Sequence, residues 1–254
     1  KPQVIEANKT VVAAGYSYAD TLEIFANTYR IQPAELPKGK YRDISGNVAT
    51  AWGLMAASER SGRQLFVGSY PITPATDILV ELTKHKDLKV KAYQAEDEIA
   101  GITSSIGASF AGCLSVTTTS GPGLSLKSEA LGLAVMTELP LVVIDVQRGG
   151  PSTGLPTKTE QSDLTQALFG RNGDAPLIVL AAKSSVDCFY SAFEACKLAL
   201  EHMTPVILLT DGALGNGTEI FRIPRVADLP AIVPPIAKAN DPEFQPYRRD
   251  EEKL

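Results

Sequence analysis

The sequence has little of what redox and metal centres need. It contains three cysteines, Cys113, Cys188 and Cys196, and two histidines, whereas an iron–sulfur cluster takes about four thiolates. No CxxC pair occurs, so we interpret the thiols as small buried hydrophobic groups in a reducing compartment. A redox reaction carried out with this chain would therefore need a redox centre on a partner.

Long apolar runs and an excess of positive charge are also missing. No stretch approaches the roughly 18 apolar residues of a membrane span, and a net charge of −5 disfavours nucleic acid as a ligand. The polar opening KPQVIEANKT does not resemble a signal peptide, so we expect a cytoplasmic protein. The first residue is not Met and the end is charged, which we interpret as a sign of an excised or processed piece.

Short continuous runs of Val, Ile and Leu are abundant and alternate with helical patterns. Such runs are typical of strands that are buried on both faces of a parallel sheet. We predict strands at 65–69, 90–94, 114–119, 141–146, 177–181 and 206–210, and helices at 47–61, 75–84, 98–111, 124–136, near 159–168, and at 185–203. The predicted fold is α/β, a doubly wound, mostly parallel sheet with helices on both faces.

Changes in composition divide the chain into three predicted parts. Residues 1–45 form an N-terminal arm or linker, in which the helical spacing of residues 10–28 is interrupted by Gly15. Residues 46–212 form the α/β domain. Residues 213–254, which include Pro234 and Pro235, form a proline-rich extended C-terminal arm that wraps a neighbour or links to another domain.

The stretch 93–123 carries the clearest functional signal. Glu96, Asp97 and Glu98 follow a predicted strand and open a helix of small residues, and the loop SGPG at 120–123 follows the next strand. Ligands bind at this edge of an α/β sheet, and the glycines let backbone approach a ring or a phosphate. The pattern suits a heteroaromatic cofactor, although first-turn acids also favour a helix dipole and the loop also suits a tight turn.

Two flanking motifs add candidate ligand-binding residues at the same edge. GSYPITPATDI at 68–78 places Thr73 in a turn stiffened by prolines, and DVQRGGPSTGLPTKTEQSDL at 145–164 places Arg148 in a glycine-rich loop. The planar guanidinium group suits a carboxylate, which it can bind through two parallel hydrogen bonds. A rigid turn around Thr73 and an ion pair of Arg148 with Asp145 or another acid are the structural alternatives.

Taken together, the three motifs resemble the pyrimidine-binding domain of thiamine diphosphate enzymes. Over residues 46–211 they look most like the alpha subunit of 2-oxoacid:ferredoxin oxidoreductases, and within that family most like its 2-oxoglutarate branch. The resemblance implies that Glu98 is the catalytic group that contacts the cofactor's pyrimidine ring and promotes loss of its C2 proton. It also implies that Tyr70, Ser120 and Gly121 bind the cofactor.

The resemblance further implies a CoA-dependent oxidative decarboxylation of a 2-oxoacid, with 2-oxoglutarate favoured over pyruvate. Thr73, Arg148 and Thr153 would bind the 2-oxoacid, and Arg148 would bind its C1 carboxylate. The implied partners are a beta subunit and a gamma domain, with ferredoxin and CoA reached through the complex. A homodimer is a further candidate.

The motif by which thiamine enzymes hold Mg²⁺ and the diphosphate is missing. That motif is Gly-Asp-Gly with an Asn some way downstream, and the nearest match here, at 210–212, reads Thr-Asp-Gly. We therefore expect no metal site in this chain, with thiamine diphosphate shared with a beta subunit and with Mg²⁺ and iron–sulfur clusters on partner chains only.

Two other functions stay open at this level. One is a non-oxidative thiamine enzyme of the acetolactate synthase kind, which shares the TSGPG loop but lacks the YPITP and RGGPSTG motifs. The other is a non-catalytic α/β module that serves assembly, in keeping with the predicted terminal arms.

Overall fold

The computed structural model describes residues 1–23, 27, 29–88, 90–237, 240–245 and 248. The chain divides into two compact units, Lys1–Lys38 and Gly39–Leu254. The first contains helix α1 (Pro2–Leu22), which has no buried residue and continues through Gly15 without the predicted interruption. Ile24 and Phe25, which contributed to the predicted helical spacing, lie outside the described residues.

The second unit is built on a six-stranded sheet, and every neighbouring pair in that sheet is parallel. Its order is β3-β2-β4-β5-β7-β6, and a separate two-stranded sheet joins β1 to β8. The strands are β1 (Tyr41–Ser45), β2 (Leu65–Ser69), β3 (Lys91–Gln94), β4 (Leu114–Thr119), β5 (Leu141–Gln147), β6 (Ile178–Ala181), β7 (Pro205–Asp211) and β8 (Thr218–Arg222).

Helices cover both faces of the large sheet, which confirms the predicted α/β class. They are α2 (Gly46–Ser61), α3 (Thr76–Thr83), α4 (Glu98–Phe110), α5 (Gly121–Leu126), α6 (Ser128–Met136), α7 (Leu164–Phe169), α8 (Asp187–His202) and α9 (Gly212–Asn216). One core cluster joins α2, α3 and α8 to the sheet, and the other joins α4 and α6 to its opposite face. The continuous burial of β4, β5 and β7 explains their unbroken apolar sequences.

The helix predicted at 124–136 is two helices, α5 and α6, with Lys127 between them. The helix predicted near 159–168 begins later, as α7 at Leu164. No helix among the described residues is long and apolar enough to cross a membrane.

The antiparallel pair β1–β8 was not predicted. Its register runs from Tyr41 opposite Arg222 to Ser45 opposite Thr218, so it joins two segments on either side of the predicted α/β domain. Each strand buries one residue in the core, Ile44 in β1 and Phe221 in β8. The three-part division at residues 45 and 212 stays a prediction.

Parallel pairing brings the carboxyl ends of the central strands to one edge. Ser69 lies opposite Gln94, and Thr119 lies opposite Asp145 near the end of β5. Every site residue predicted from the sequence comes after one of these strand ends, so the fold places all of them at the same edge of the sheet.

Candidate functional site

Glu98 is the first residue of α4 and lies against the neighbouring loop. Asp97 caps the helix, since its Oδ1 accepts a hydrogen bond from the Ala100 backbone N–H at 2.7 Å. A Cβ atom added to Gly123 would lie 2.8 Å from Cγ of Glu98. Glu98 is partly buried, whereas Glu96 and Asp97 are exposed, so Glu98 is the acid of this cluster that packs into the site.

The loop at 120–123 leads from β4 into α5 and has no room for a side chain at Gly121 or Gly123. A Cβ atom on Gly123 would also collide with Oγ1 of Thr119, and a Cβ atom on Gly121 would lie 2.7 Å from Oδ2 of Asp163. Ser120 is fully buried at the N-terminus of α5, yet its hydroxyl caps no helix N–H and has no partner within the described part of the chain. The loop therefore lies at this edge with bare backbone at Gly121 and Gly123 and with one buried, unpaired hydroxyl at Ser120.

Arg148 is buried and links the two motifs predicted to bind substrate. Its Nη1 donates to the carbonyl oxygen of Thr73 at 2.7 Å, and its Nη2 donates to that of Thr153 at 2.8 Å. Neither the guanidinium nor Asp145 takes part in an ion pair among the described residues, so the alternative of an ion pair between them is not realised. Each terminal nitrogen keeps one further N–H, and Nε has no partner in the described structure.

Thr73 and Thr153 are both exposed, and Tyr70 lies exposed just after β2. The structure thus joins Thr73, Arg148 and Thr153 through the arginine, and it joins Glu98 to the loop of Ser120 and Gly121. No described contact connects Tyr70 to either group.

A cavity of about 470 Å³ lies between the arginine and the glycine loop. Glu160 lies on its wall, and its Oε2 accepts a hydrogen bond from the Gly150 backbone N–H at 2.8 Å. The lining residues are Gly121, Pro122, Ser125, Arg148, Gly150, Pro151, Ser152, Glu160, Ser162, Asp163 and Gln166. Of the predicted site residues, Arg148 and Gly121 line this cavity, whereas Glu98, Ser120, Thr73, Thr153 and Tyr70 are not part of its wall.

Two buried charged residues beneath the loop, Asp145 and Lys127, and the half-buried Asp163 were missed from the sequence. Asp145 is inaccessible in β5, and burial together with the adjacent Asp163 carboxyl raises its pKa well above the ordinary value. Burial also raises the pKa of Asp163. Lys127 is likewise inaccessible, and its Nζ donates to the backbone carbonyl oxygen of Glu98 at 2.9 Å.

One of these residues could have been found from the sequence. Asp145 is an acid inside the apolar strand LVVIDVQ, and a charge in a buried run is uncommon enough to mark a candidate site. Lys127 and Asp163 lie in sequence that mixes polar and apolar residues, so only the fold shows that Lys127 is buried and that Asp163 is half-buried.

A scan against protein-family models matches residues 60–251 to the family described as pyruvate flavodoxin/ferredoxin oxidoreductase, thiamine diphosphate-binding. The match covers well over half of the chain. The chain belongs to this family. The residues present fit the cofactor that the family's description names, since the glycines of the loop keep its backbone free of side chains beside Glu98 and the buried Ser120 hydroxyl has no partner among the described residues. No cluster of three or more potential metal ligands occurs among the described residues.

Relatives of this oxidoreductase family are similar over much or all of the chain. The 2-oxoglutarate oxidoreductase subunit KorA of Mycobacterium tuberculosis is 60% identical over 254 residues, which is 100% of this chain and 39% of that protein. The 2-oxoglutarate synthase subunit KorA of Archaeoglobus fulgidus is 43% identical over 187 residues, which is 73% of this chain and 53% of that protein.

A solved structure shares the fold. The 2-oxoglutarate:ferredoxin oxidoreductase from Magnetococcus marinus, with 2-oxoglutarate, coenzyme A and succinyl-CoA bound, matches with a TM-score of 0.79 and 42% sequence identity. The match covers 85% of this chain and 37% of that one. The chain therefore spans little more than a third of the length of the M. tuberculosis and Magnetococcus proteins.

Proposed function

We propose that this chain forms the pyrimidine-binding part of the alpha subunit of a CoA-dependent 2-oxoacid:ferredoxin oxidoreductase, with 2-oxoglutarate as its substrate. The observation that carries the proposal is that, at one sheet edge of a chain in this family, Glu98 packs against the glycine loop and Arg148 lines a cavity together with Gly121 of that loop. The substrate is supported by the names of the M. tuberculosis and Magnetococcus relatives, which both refer to 2-oxoglutarate.

Glu98 and the loop at 120–123 would hold the aminopyrimidine end of thiamine diphosphate. When bound, the cofactor supplies a nucleophilic carbon and accepts the negative charge that develops as CO₂ leaves a 2-oxoacid. Glu98 would hold a proton against the pyrimidine nitrogen that faces it. Gly121 and the buried Ser120 hydroxyl would contact the same end of the ring through polar groups of the loop, and Tyr70 would add a contact from the end of β2.

Arg148 would bind the C1 carboxylate with the N–H groups that the protein leaves free. Because the guanidinium is already held by the carbonyls of Thr73 and Thr153, its orientation is fixed before the substrate arrives. Thr73 and Thr153 are the residues whose carbonyls hold the arginine, and their hydroxyls would donate hydrogen bonds to the 2-oxoacid.

The overall reaction releases CO₂, one proton and two electrons as the acyl group passes from the 2-oxoacid to the thiol of CoA. We propose that the electrons leave through iron–sulfur clusters on partner chains to ferredoxin. A beta subunit would hold Mg²⁺ and the diphosphate, and a gamma domain would complete the assembly. A homodimer and a cytoplasmic location stay predictions from the sequence.

Substrate-dependent reduction of ferredoxin by the full complex tests this function. The complex that contains this chain is incubated with CoA and with 2-oxoglutarate, pyruvate or other 2-oxoacids, and the reduced ferredoxin and acyl-CoA are measured. We expect 2-oxoglutarate to give the highest kcat/KM. Preference for pyruvate would reject the substrate, and 2-oxoacid consumption without ferredoxin reduction would support the acetolactate synthase kind of chemistry instead.

A further inference from the structure

Lys127 is a buried cation that the reaction outlined above does not use. It lies between α5 and α6, where its backbone N–H is bonded to the carbonyl oxygens of Gly123 and Leu124. Its side chain reaches back to α4 and donates from Nζ to the carbonyl oxygen of Glu98. Lys127 therefore ties the helix that follows the glycine loop to the helical turn that carries Glu98.

Carboxyl groups from two elements, α4 and β5, act on this ammonium group. Asp97 and Glu98 lie at the start of α4 and Asp145 lies in β5, and all three attract it. Asp163, just before α7, is paired with Asp145, and Glu160 acts in turn on Asp163. Burying an ammonium group is unfavourable unless its charge is balanced, and a methionine of similar length would fill the space without that cost. The presence of a charge at this buried position points to a role in the site.

We propose that Lys127 is a positioning residue for Glu98. Its ammonium group holds the first turn of α4 through the carbonyl of Glu98 and balances the carboxyl groups that converge there. The Glu98 side chain is thereby kept against the glycine loop, where the pyrimidine ring would bind. This inference rests on the proposed function, because positioning Glu98 matters only if Glu98 faces the cofactor.

The role predicts a pH dependence with a definite sign. Burial lowers the pKa of Lys127 to about 8, despite the attraction of the surrounding carboxylates. Lys127 is therefore charged at neutral pH and loses its charge as the pH rises through about 8. Positioning of Glu98 should weaken over the same interval, and replacement of Lys127 by an uncharged residue should remove that dependence.

Exchange of the cofactor's C2 proton for deuterium, in the assembled complex without 2-oxoacid, tests the proposal. The parent is compared with Lys127→Met and with the control Lys197→Met, which removes a partly exposed lysine that pairs with Glu194 on α8. We expect Lys127→Met to exchange about tenfold more slowly at neutral pH and the parent to slow above a pH of about 8. We expect Lys197→Met to follow the parent and Lys127→Met to show no such slowing.

Two readouts that do not depend on turnover accompany the exchange rate. Calorimetry should give a thiamine diphosphate Kd for Lys127→Met within about threefold of the parent, because positioning affects the reacting geometry more than cofactor binding. Hydrogen–deuterium exchange of backbone amides, measured in the complex without cofactor, should show less protection of the first turn of α4 in Lys127→Met than in the parent. Unchanged protection together with an unchanged C2 exchange rate would overturn the proposal.

The parent complex tests the idea even if Lys127→Met fails to assemble, since a C2 exchange rate that does not fall above a pH of about 8 contradicts it. Glu98→Gln separates the two proposals. If Glu98→Gln exchanges at the parent rate, the role of Glu98 itself is wrong. If Glu98→Gln is slow while Lys127→Met matches the parent, the role of Lys127 alone is rejected.

Discussion

Glu96 and Glu98 are two residues apart but lie in different surroundings. Glu98 packs against Gly123 and receives the Lys127 hydrogen bond at its carbonyl, whereas Glu96 is exposed before the helix begins. The sequence placed both in one acidic cluster, and the structure distinguishes them by burial.

We expect Glu98→Gln to slow turnover of the assembled complex by about 10²–10⁴-fold, the usual contribution of a positioned acid or base, while folding stays intact. Glu96→Gln is the matched control and should change kcat by less than about twofold, because surface substitutions are usually mild. Steady-state ferredoxin reduction measures both. If Glu96→Gln lowers kcat strongly and Glu98→Gln lowers it only slightly, the catalytic role belongs to Glu96 instead.

Arg148→Lys tests the anchoring of the arginine. Lysine keeps the charge but lacks the planar guanidinium group whose two terminal nitrogens bind the carbonyls of Thr73 and Thr153. Loss of one charged hydrogen bond costs about 1.5–3 kcal/mol, so we expect KM for the 2-oxoacid to rise by about 10–100-fold. The Kd for thiamine diphosphate, measured by calorimetry, should change little. An unchanged KM for every 2-oxoacid tried would show that Arg148 serves structure alone.

At the scale of elements, the turn from β4 into α5 depends on a glycine that has no space for a methyl group. Gly123→Ala would drive a Cβ atom against Thr119 and Glu98, and such overpacking costs about 1–3 kcal/mol. We expect lower stability in urea unfolding and weaker cofactor binding in the complex. Gly107→Ala in α4 is the control, since nothing lies within 4 Å of its added methyl. Equal effects of the two substitutions would contradict the close packing described here.

Helix α3 carries a buried acid that should shape the acid stability of the chain. Burial alone would raise the pKa of Glu81, but hydrogen bonds from Lys84, His85 and Trp52 lower it from 4.5 to about 2. Because the folded pKa lies below the ordinary value, this stabilisation is present above a pH of about 4.5 and is lost as the pH falls towards 2.

We expect Glu81→Gln to lower the free energy of unfolding at neutral pH by up to about 3 kcal/mol. The difference in free energy of unfolding between the parent and the variant should shrink as the pH falls from about 4.5 towards 2. Urea unfolding at several pH values measures it, with the exposed Glu59→Gln on α2 as control. A difference between parent and variant that is constant over the whole acid range would show that the hydrogen bonds of Glu81 do not lower its pKa.

Strands buried on both faces were the best predicted elements, because such strands have continuous apolar sequences that can be recognised directly. The bounds of β2 and β4 agree with the prediction at both ends. The pair β1–β8 could not be predicted, because the two strands are far apart in sequence and four of the five residues of β8 are exposed. The break at Lys127 was missed because a buried ammonium group between two helices leaves no local signal.

The site also contains features that could be predicted from the sequence and features that could not. The edge at which Glu98, Ser120 and Arg148 meet follows from parallel strand order, so it was predictable. The partners of Arg148 are backbone carbonyls of two loops, and the conformation of those loops cannot be derived from residue types. The pairing of Asp145 with Asp163 depends likewise on how the segment before α7 folds back over β5.

For the molecule as a whole, the residues described here suit one end of the cofactor. We expect the isolated chain to bind thiamine diphosphate with Mg²⁺ weakly or not at all, because the Gly-Asp-Gly motif is missing. Calorimetry checks this, and addition of a purified beta subunit should restore binding. Affinity in the micromolar range for the chain alone would contradict a site shared between subunits.

The small β1–β8 ladder has a consequence for how this unit can be combined with others. Because Tyr41 lies directly opposite Arg222, the segment that leads into α2 and the segment that follows α9 run side by side. A segment whose two ends are adjacent can be spliced into a surface loop of another protein, or duplicated in tandem, with little distortion of either fold. A cassette for gene fusion built on this geometry must also keep the segment that follows β8, because its Ile232 is buried in the same core.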